Sequence, residues 1–191
     1  MNRVANYITD RLIAWQIIDK EDYEIYQYGF LQGFVLVVNM IVFLIIGFLF
    51  HMLWQTIVFT IAYRFLRTVA GGYHARTQRD CYILSALLLI IALIIIRWFP
   101  WNTLIALSLL VGSGMMVFRL APEADLNKPI NEKEFVVYRK KSRFTYLLLA
   151  TPSVILLFLG FSAIAQSIVV AIFAASIMLP IGRWNNRRLS K

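Results

Sequence analysis

Charge disappears from this sequence in long blocks. Residues 25–63 form one run of 39 positions without Lys, Arg, Asp or Glu, and residues 144–182 form a second run of the same length. As a single helix, 39 residues would extend roughly 58 Å, about twice a bilayer's hydrocarbon core, so each run is expected to cross a membrane twice. The first is expected to break near His51, Trp54 and Gln55, whose polar and interfacial side chains suit a turn at the headgroups. Gly160, Phe161 and Ser162 supply the turn in the second. Two shorter charge-free runs, 81–96 and 98–118, are separated by an aromatic, proline-broken junction, Arg97-Trp98-Phe99-Pro100-Trp101. The pattern predicts an all-α integral membrane protein with six transmembrane helices near 28–50, 53–69, 81–97, 102–120, 144–160 and 163–181. All belong to a single domain over 1–191.

Ahead of the first run the pattern changes. Val4, Ile8, Leu12, Trp15 and Ile18 recur at helical spacing, with Arg3, Asn6, Asp10 and Arg11 elsewhere on the wheel. Residues 1–22 therefore read as an amphipathic helix lying in the membrane interface, acting as an anchor or as a docking surface. Asp19, Glu21, Asp22 and Glu24 precede the first apolar run, which is not the basic start of a cleavable signal peptide. Between the fourth and fifth runs, Asn131 and Glu134 stand at capping-box spacing and open a helix that carries Arg139, Lys140, Lys141 and Arg143.

Composition agrees with the pattern: 60% of residues are hydrophobic, 15% are charged, and mean hydropathy is +0.70. The formal charge of +9 arises from 19 basic residues. Placing both termini in the cytoplasm puts all of them except Arg97 on that face, as the positive-inside rule requires. The charge is thereby accounted for by topology, and no nucleic-acid site is implied. The lone cysteine excludes an intrachain disulfide, and no metal-spaced His/Cys cluster, phosphate loop or internal repeat occurs.

Candidate chemistry concentrates between the second and third spans. The stretch from Arg67 through Gly71, Gly72, His74, Arg76, Arg79 and Asp80 to Cys81 holds the one cysteine and one of two histidines. Seven residues of continuous helix would separate His74 and Cys81 by roughly 10 Å. Gly71-Gly72 breaks the helix and lets the imidazole fold toward the thiol. Asp80 is placed to cap the third span, leaving Cys81 in its first turn, where free N–H groups favour a thiolate. His74 then serves as general base or imidazolium partner. Arg67, Arg76 and Arg79 add positive potential, and one of them can hold a substrate carboxylate. Taken singly, a cysteine is more often a small buried hydrophobe and a histidine an interfacial side chain. Their meeting in one glycine-broken loop is what points to a cysteine enzyme.

With Arg67, Gly71-Gly72-Tyr73-His74 and Cys81, the sequence resembles the accessory gene regulator B (AgrB) family of membrane peptidases. Ala121-Pro122-Glu123 and Asn127-Lys128-Pro129 in the second cytoplasmic loop extend the resemblance to nearly the whole chain. It implies a quorum-sensing peptide processor in the bacterial cell membrane, acting without a cofactor at its cytoplasmic face. The substrate is then an AgrD-like precursor: an amphipathic helix, a central pheromone segment and an acidic tail. By this resemblance Cys81 is the nucleophile, His74 its partner, Arg67 and Gly72 are needed for activity, and the protein is a homodimer. The N-terminal helix is expected to meet the precursor's own, and Arg139, Lys140, Lys141 and Arg143 its acidic tail. The competing classes are a small peptide exporter and a non-catalytic scaffold. Against the exporter, the expected spans hold almost no ionisable residues.

Overall fold

The computed structural model describes residues 2–73, 78–123 and 131–189, and its contacts divide the chain into two units, Met1–Ile45 and Ile46–Lys191. The regular elements are α1 (Asn2–Ala14), α2 (Tyr23–Leu49), α3 (Leu53–Ala70), α4 (Gln78–Trp98), α5 (Thr103–Leu120), α6 (Glu132–Phe158) and α7 (Ser162–Leu189), with a short 3-10 turn at Lys20–Asp22. An all-helical chain is the physical consequence of such a sequence in lipid, where every backbone N–H and C=O must be satisfied within its own segment.

Two of the expected breaks, and a third that cuts short the helix expected over 1–22, are built the same way. At the end of α2 the Met52 N–H donates to Gly47 C=O at 2.8 Å and the His51 N–H to Phe48 C=O at 3.0 Å, with His51 at φ 56°. This paired closure around a left-handed residue is a Schellman motif. It recurs after α6, where Gly160 (φ 85°) is the left-handed residue and the Phe161 N–H reaches Leu156 C=O at 3.0 Å. It also ends α1, at Gln16 (φ 55°), with the Ile17 N–H on Leu12 C=O at 3.0 Å. The apolar period therefore runs past the helix: α1 stops at Ala14, and Trp15 and Ile18 lie beyond it. The α4–α5 junction closes by other means. Asn102 caps α5 by accepting from the Ile105 N–H at 2.7 Å, and the Arg97 guanidinium donates to the Phe50 carbonyl at 2.9 Å.

Within Met1–Ile45, α1 and the start of α2 are tied by Gln27 Nε2 donating to Asn6 Oδ1 at 2.6 Å. Val4, Tyr7 and Trp15 remain exposed.

In Ile46–Lys191 the central element is α7, which packs against α3, α4, α5 and α6. Ala165, Val169, Ala171, Ile172, Ala175 and Leu179 are all at most 1% exposed. Lipid tails are as apolar as leucine, so helices associate through close packing, which small side chains permit. Ala70, Ala106, Ala150 and Ala175 accordingly lie in the core beside Leu66, Leu110 and Val117. Several buried hydroxyls find partners inside their own helices, as when Ser176 Oγ donates to Ile172 C=O at 2.7 Å. The expected capping box opens α6, with the Asn131 N–H donating to Glu134 Oε2 at 3.1 Å.

Among the described residues, four stretches are long and apolar enough to cross a membrane: Lys20–Leu49, Arg79–Trp98, Thr103–Leu120 and Ser162–Arg188. Of the six expected spans, those on α3 and α6 are not among them. α3 carries Thr56, Thr60, Arg64 and Arg67, and α6 is charged until Arg143, leaving 15 uncharged residues, about 22 Å of helix.

Candidate active site

The site grows out of the end of α3. Gly71 follows the helix at φ 72°, ψ −149°, a backbone conformation essentially confined to glycine, and Gly72 follows at φ 119°. The chain is thus turned out of its helix before Tyr73. Three elements hold it there. From α3, Arg67 reaches forward one turn: its Nη1 donates to the Gly71 carbonyl and its Nη2 to the Tyr73 carbonyl. From α7, the Met178 carbonyl accepts the Tyr73 N–H at 3.0 Å. From the segment after α5, Glu123 forms a parallel bridge with Gly71, its N–H donating to Ala70 C=O at 3.0 Å and its C=O accepting from Gly72 N–H at 3.2 Å.

This lattice leaves no room for side chains. A Cβ on Gly71 would enter the Glu123 carbonyl, and one on Gly72 would meet Arg67 Nη1 and lie 2.8 Å from Met178 O. Gly182 on α7 is the complementary gap: a Cβ there would stand 2.6 Å from the Tyr73 nitrogen and 2.7 Å from the Gly72 carbonyl carbon. The role expected for Arg67 is accordingly sharpened. Both outer nitrogens of its guanidinium are engaged by the loop backbone, so here Arg67 orients the loop.

That geometry makes the guanidinium fork irreplaceable. Lysine offers one point charge and cannot span two carbonyls. Losing one charge-assisted hydrogen bond of about 1.5–3 kcal/mol corresponds to roughly 10- to 100-fold if the loop geometry sets the rate. In the peptidase reading that the family resemblance implies, Arg67→Lys is therefore expected to lower precursor cleavage by about that factor, measured per molecule of membrane-inserted protein.

Cys81 is the fourth residue of α4, and its side chain is exposed. The helix starts at Gln78, so Asp80 lies inside the first turn and does not cap it; its carboxylate faces Arg79 at 3.8 Å in an exposed pair. There it still complements the positive end of the helix dipole. Tyr63, one turn before Arg67 on α3, lies within electrostatic reach of both Arg67 and Cys81. The thiol and the clamped loop therefore share one end of the bundle. His74 and Arg76, between them, lie outside the described residues.

The basic cluster on α6 divides in two. Arg139, Lys140 and Lys141 are exposed, with Lys141 Nζ 5.9 Å from the centre of the Tyr138 ring. Arg143 turns inward, donating from Nη2 to the Phe118 carbonyl at 2.9 Å with its guanidinium over the Phe118 ring at 5.2 Å. It binds the last turn of α5, where unpaired carbonyls and the helix dipole favour a cation. Three cations are thus presented to the exterior, and the fourth joins two helices.

Glu123, Met178, Gly182, Arg183 and Asn186 are the site residues that motif reading did not single out for chemistry. The Ala121-Pro122-Glu123 triplet was the available signal for the first. For Gly182, the signal was a glycine at the edge of a long apolar run.

A family model described as Accessory gene regulator B matches residues 1–179. A protein of Clostridium perfringens (strain 13 / Type A) named AgrB-like protein 2 is 24% identical over 183 residues, covering 90% of this chain and 86% of that protein. An AgrB-like protein of Clostridium perfringens (strain SM101 / Type A) is 25% identical over 184 residues, with the same coverage. One from Clostridium acetobutylicum is 24% identical over 89 residues, or 47% of this chain and 43% of that protein. No solved structure matches significantly. With the family model spanning all but the last twelve residues, this chain belongs to the accessory gene regulator B family.

Proposed function

We propose that this protein is a membrane cysteine endopeptidase that removes the acidic C-terminal tail of an AgrD-like signalling precursor and supports cyclisation of the remainder. The observation that carries the reading is the exposed Cys81 thiol at the same end of the bundle as a loop whose backbone is fixed on three sides immediately before His74. Few purely structural demands explain why an arginine, a glutamate and a helix carbonyl should converge on three consecutive residues. Aiming the next residue at a nucleophile does explain it.

The chemistry follows from the two groups. The Cys81 sulfur attacks the carbonyl carbon of the bond preceding the tail, and the His74 imidazolium gives its proton to the departing amine as the C–N bond breaks. The tail leaves and the rest of the peptide remains as a thioester on Cys81. An internal thiol or hydroxyl of the precursor then attacks that thioester, His74 accepts its proton, and the Cys81 thiolate departs as a thiolactone or lactone closes. Exchange of one thioester for another is nearly balanced in energy, so ring closure by a thiol requires no ATP. Water must be kept from the thioester, a task suited to a membrane surface covered by the precursor.

In this reading six helices cross the bilayer with both termini cytoplasmic, and the amphipathic N-terminus meets the precursor's helix at the inner leaflet. Arg139, Lys140 and Lys141 attract the acidic tail, Arg76 and Arg79 lie beside the scissile region, and two copies assemble as a homodimer. Co-expression of the precursor with wild-type protein or with Cys81→Ala tests the assignment. Tail removal by the wild type alone is expected; equal removal by both would overturn it.

A further inference from the structure

We infer that Glu123 is a positioning residue for the catalytic loop, anchored by the C-terminal turns of α7 through Arg183 and Asn186. The inference rests on the peptidase reading of the loop and goes beyond the residues that reading employs. Glu123 acts at both ends. Its backbone holds Ala70 and Gly72, through hydrogen bonds of 3.0 and 3.2 Å. Its side chain is held in turn by α7: Oε1 accepts from Asn186 Nδ2 at 3.1 Å, and Oε2 lies 3.6 Å from Arg183 Nε.

The Glu123 side chain is 13% exposed against 45% for Arg183. A polar side chain so largely withdrawn from water needs hydrogen-bond or ion-pair partners, and α7 supplies Asn186 and Arg183. Glu123 is therefore fixed by α7. It takes its position from α7 and passes that position to Gly72. The same helix meets the loop a second time, where Gly182 abuts Gly72 and Tyr73 and the Met178 carbonyl accepts the Tyr73 N–H. With Arg67 gripping from α3, the loop is bounded by two helices, and Glu123 locks the α7 side. Gly182, Arg183 and Asn186 all lie beyond residue 179, where the family match ends.

A double-mutant cycle on the full-length protein in proteoliposomes tests this. The substrate is a synthetic precursor peptide with an acidic tail, and kcat and KM are measured separately per folded molecule. Glu123→Ala and Arg183→Ala are each expected to lower kcat, by about 10- to 100-fold and about 3- to 10-fold, with KM changed less than about threefold. Because Arg183 acts through Glu123, the double variant is expected to be no slower than Glu123→Ala alone. Glu123→Gln, which keeps the volume and the Asn186 hydrogen bond, is expected to recover part of the loss. It also serves in the cycle if the alanine variant fails to insert. Wild-type kcat in the Glu123 variants, multiplying effects in the double variant, or a fall in thermal stability with kcat per folded molecule unchanged would each overturn the inference. Cys81→Ala run alongside separates the failures. If it is inert while Glu123→Ala is fully active, only the positioning claim falls; if it cleaves like the wild type, both fall.

Discussion

Cys81→Ala is expected to reduce tail removal by at least about ten-thousand-fold while leaving expression and membrane insertion unchanged. The magnitude follows from covalent catalysis: once the nucleophile is gone, what remains of the site can bind and orient but cannot form the acyl-enzyme. The side chain is exposed at the start of α4, so its truncation opens no core cavity and the fold is expected to hold. Immunoblotting of a tagged precursor in membranes containing equal amounts of wild-type and variant protein measures the effect. An exporter or a scaffold predicts a different outcome, with cleavage or export persisting in the variant. As the sole cysteine in the chain, Cys81 also allows the same preparations to be checked by thiol alkylation, which must label the wild type alone.

Gly72→Ala is expected to be nearly as damaging, through a different cause. The added methyl would collide with Arg67 Nη1 and lie 2.8 Å from the Met178 carbonyl, at a backbone φ of 119° that alanine resists. Relief requires breaking at least one of the contacts that hold the loop. The strain alone is of order 1–3 kcal/mol, and a lost charge-assisted hydrogen bond adds about 1.5–3 kcal/mol. Cleavage is expected to fall by at least about 100-fold, and thermal stability in detergent to fall measurably, whereas Cys81→Ala leaves stability unchanged. Cleavage at the wild-type rate would mean that the turn does not set the geometry of catalysis.

Much of the helix pattern could be read from charge alone, because lipid imposes a severe rule: charge-free runs become helices, and those near 39 residues must break. The breaks at His51 and Gly160 fell where polar or glycine residues interrupted the runs, since a left-handed closing residue requires a side chain that tolerates positive φ. The extent of α1 was less visible, because hydrophobic periodicity does not register a Schellman closure at Gln16. Gly71-Gly72 marked the site by its composition, and Arg67 by its proximity in sequence. What sequence reading could not reach was the long-range part. Glu123, Met178 and Gly182 touch the loop from segments about 50 and more than 100 residues away, mostly through backbone atoms that carry no side-chain signature. Arg143 illustrates the same limit. Within a run of cations it looks like its neighbours, yet it alone meets the end of α5.

The account depends on the clamped loop delivering residue 74 to the thiol at the head of α4. Because the chain has a single cysteine, His74→Cys creates a protein with two thiols, and mild oxidation or a short bis-alkylating reagent reports whether they meet. Rapid bridging within one chain is expected, with little bridging when Gly72→Ala is added. Two thiols that alkylate freely yet never bridge within one chain, with the Gly72 clamp intact, would contradict it.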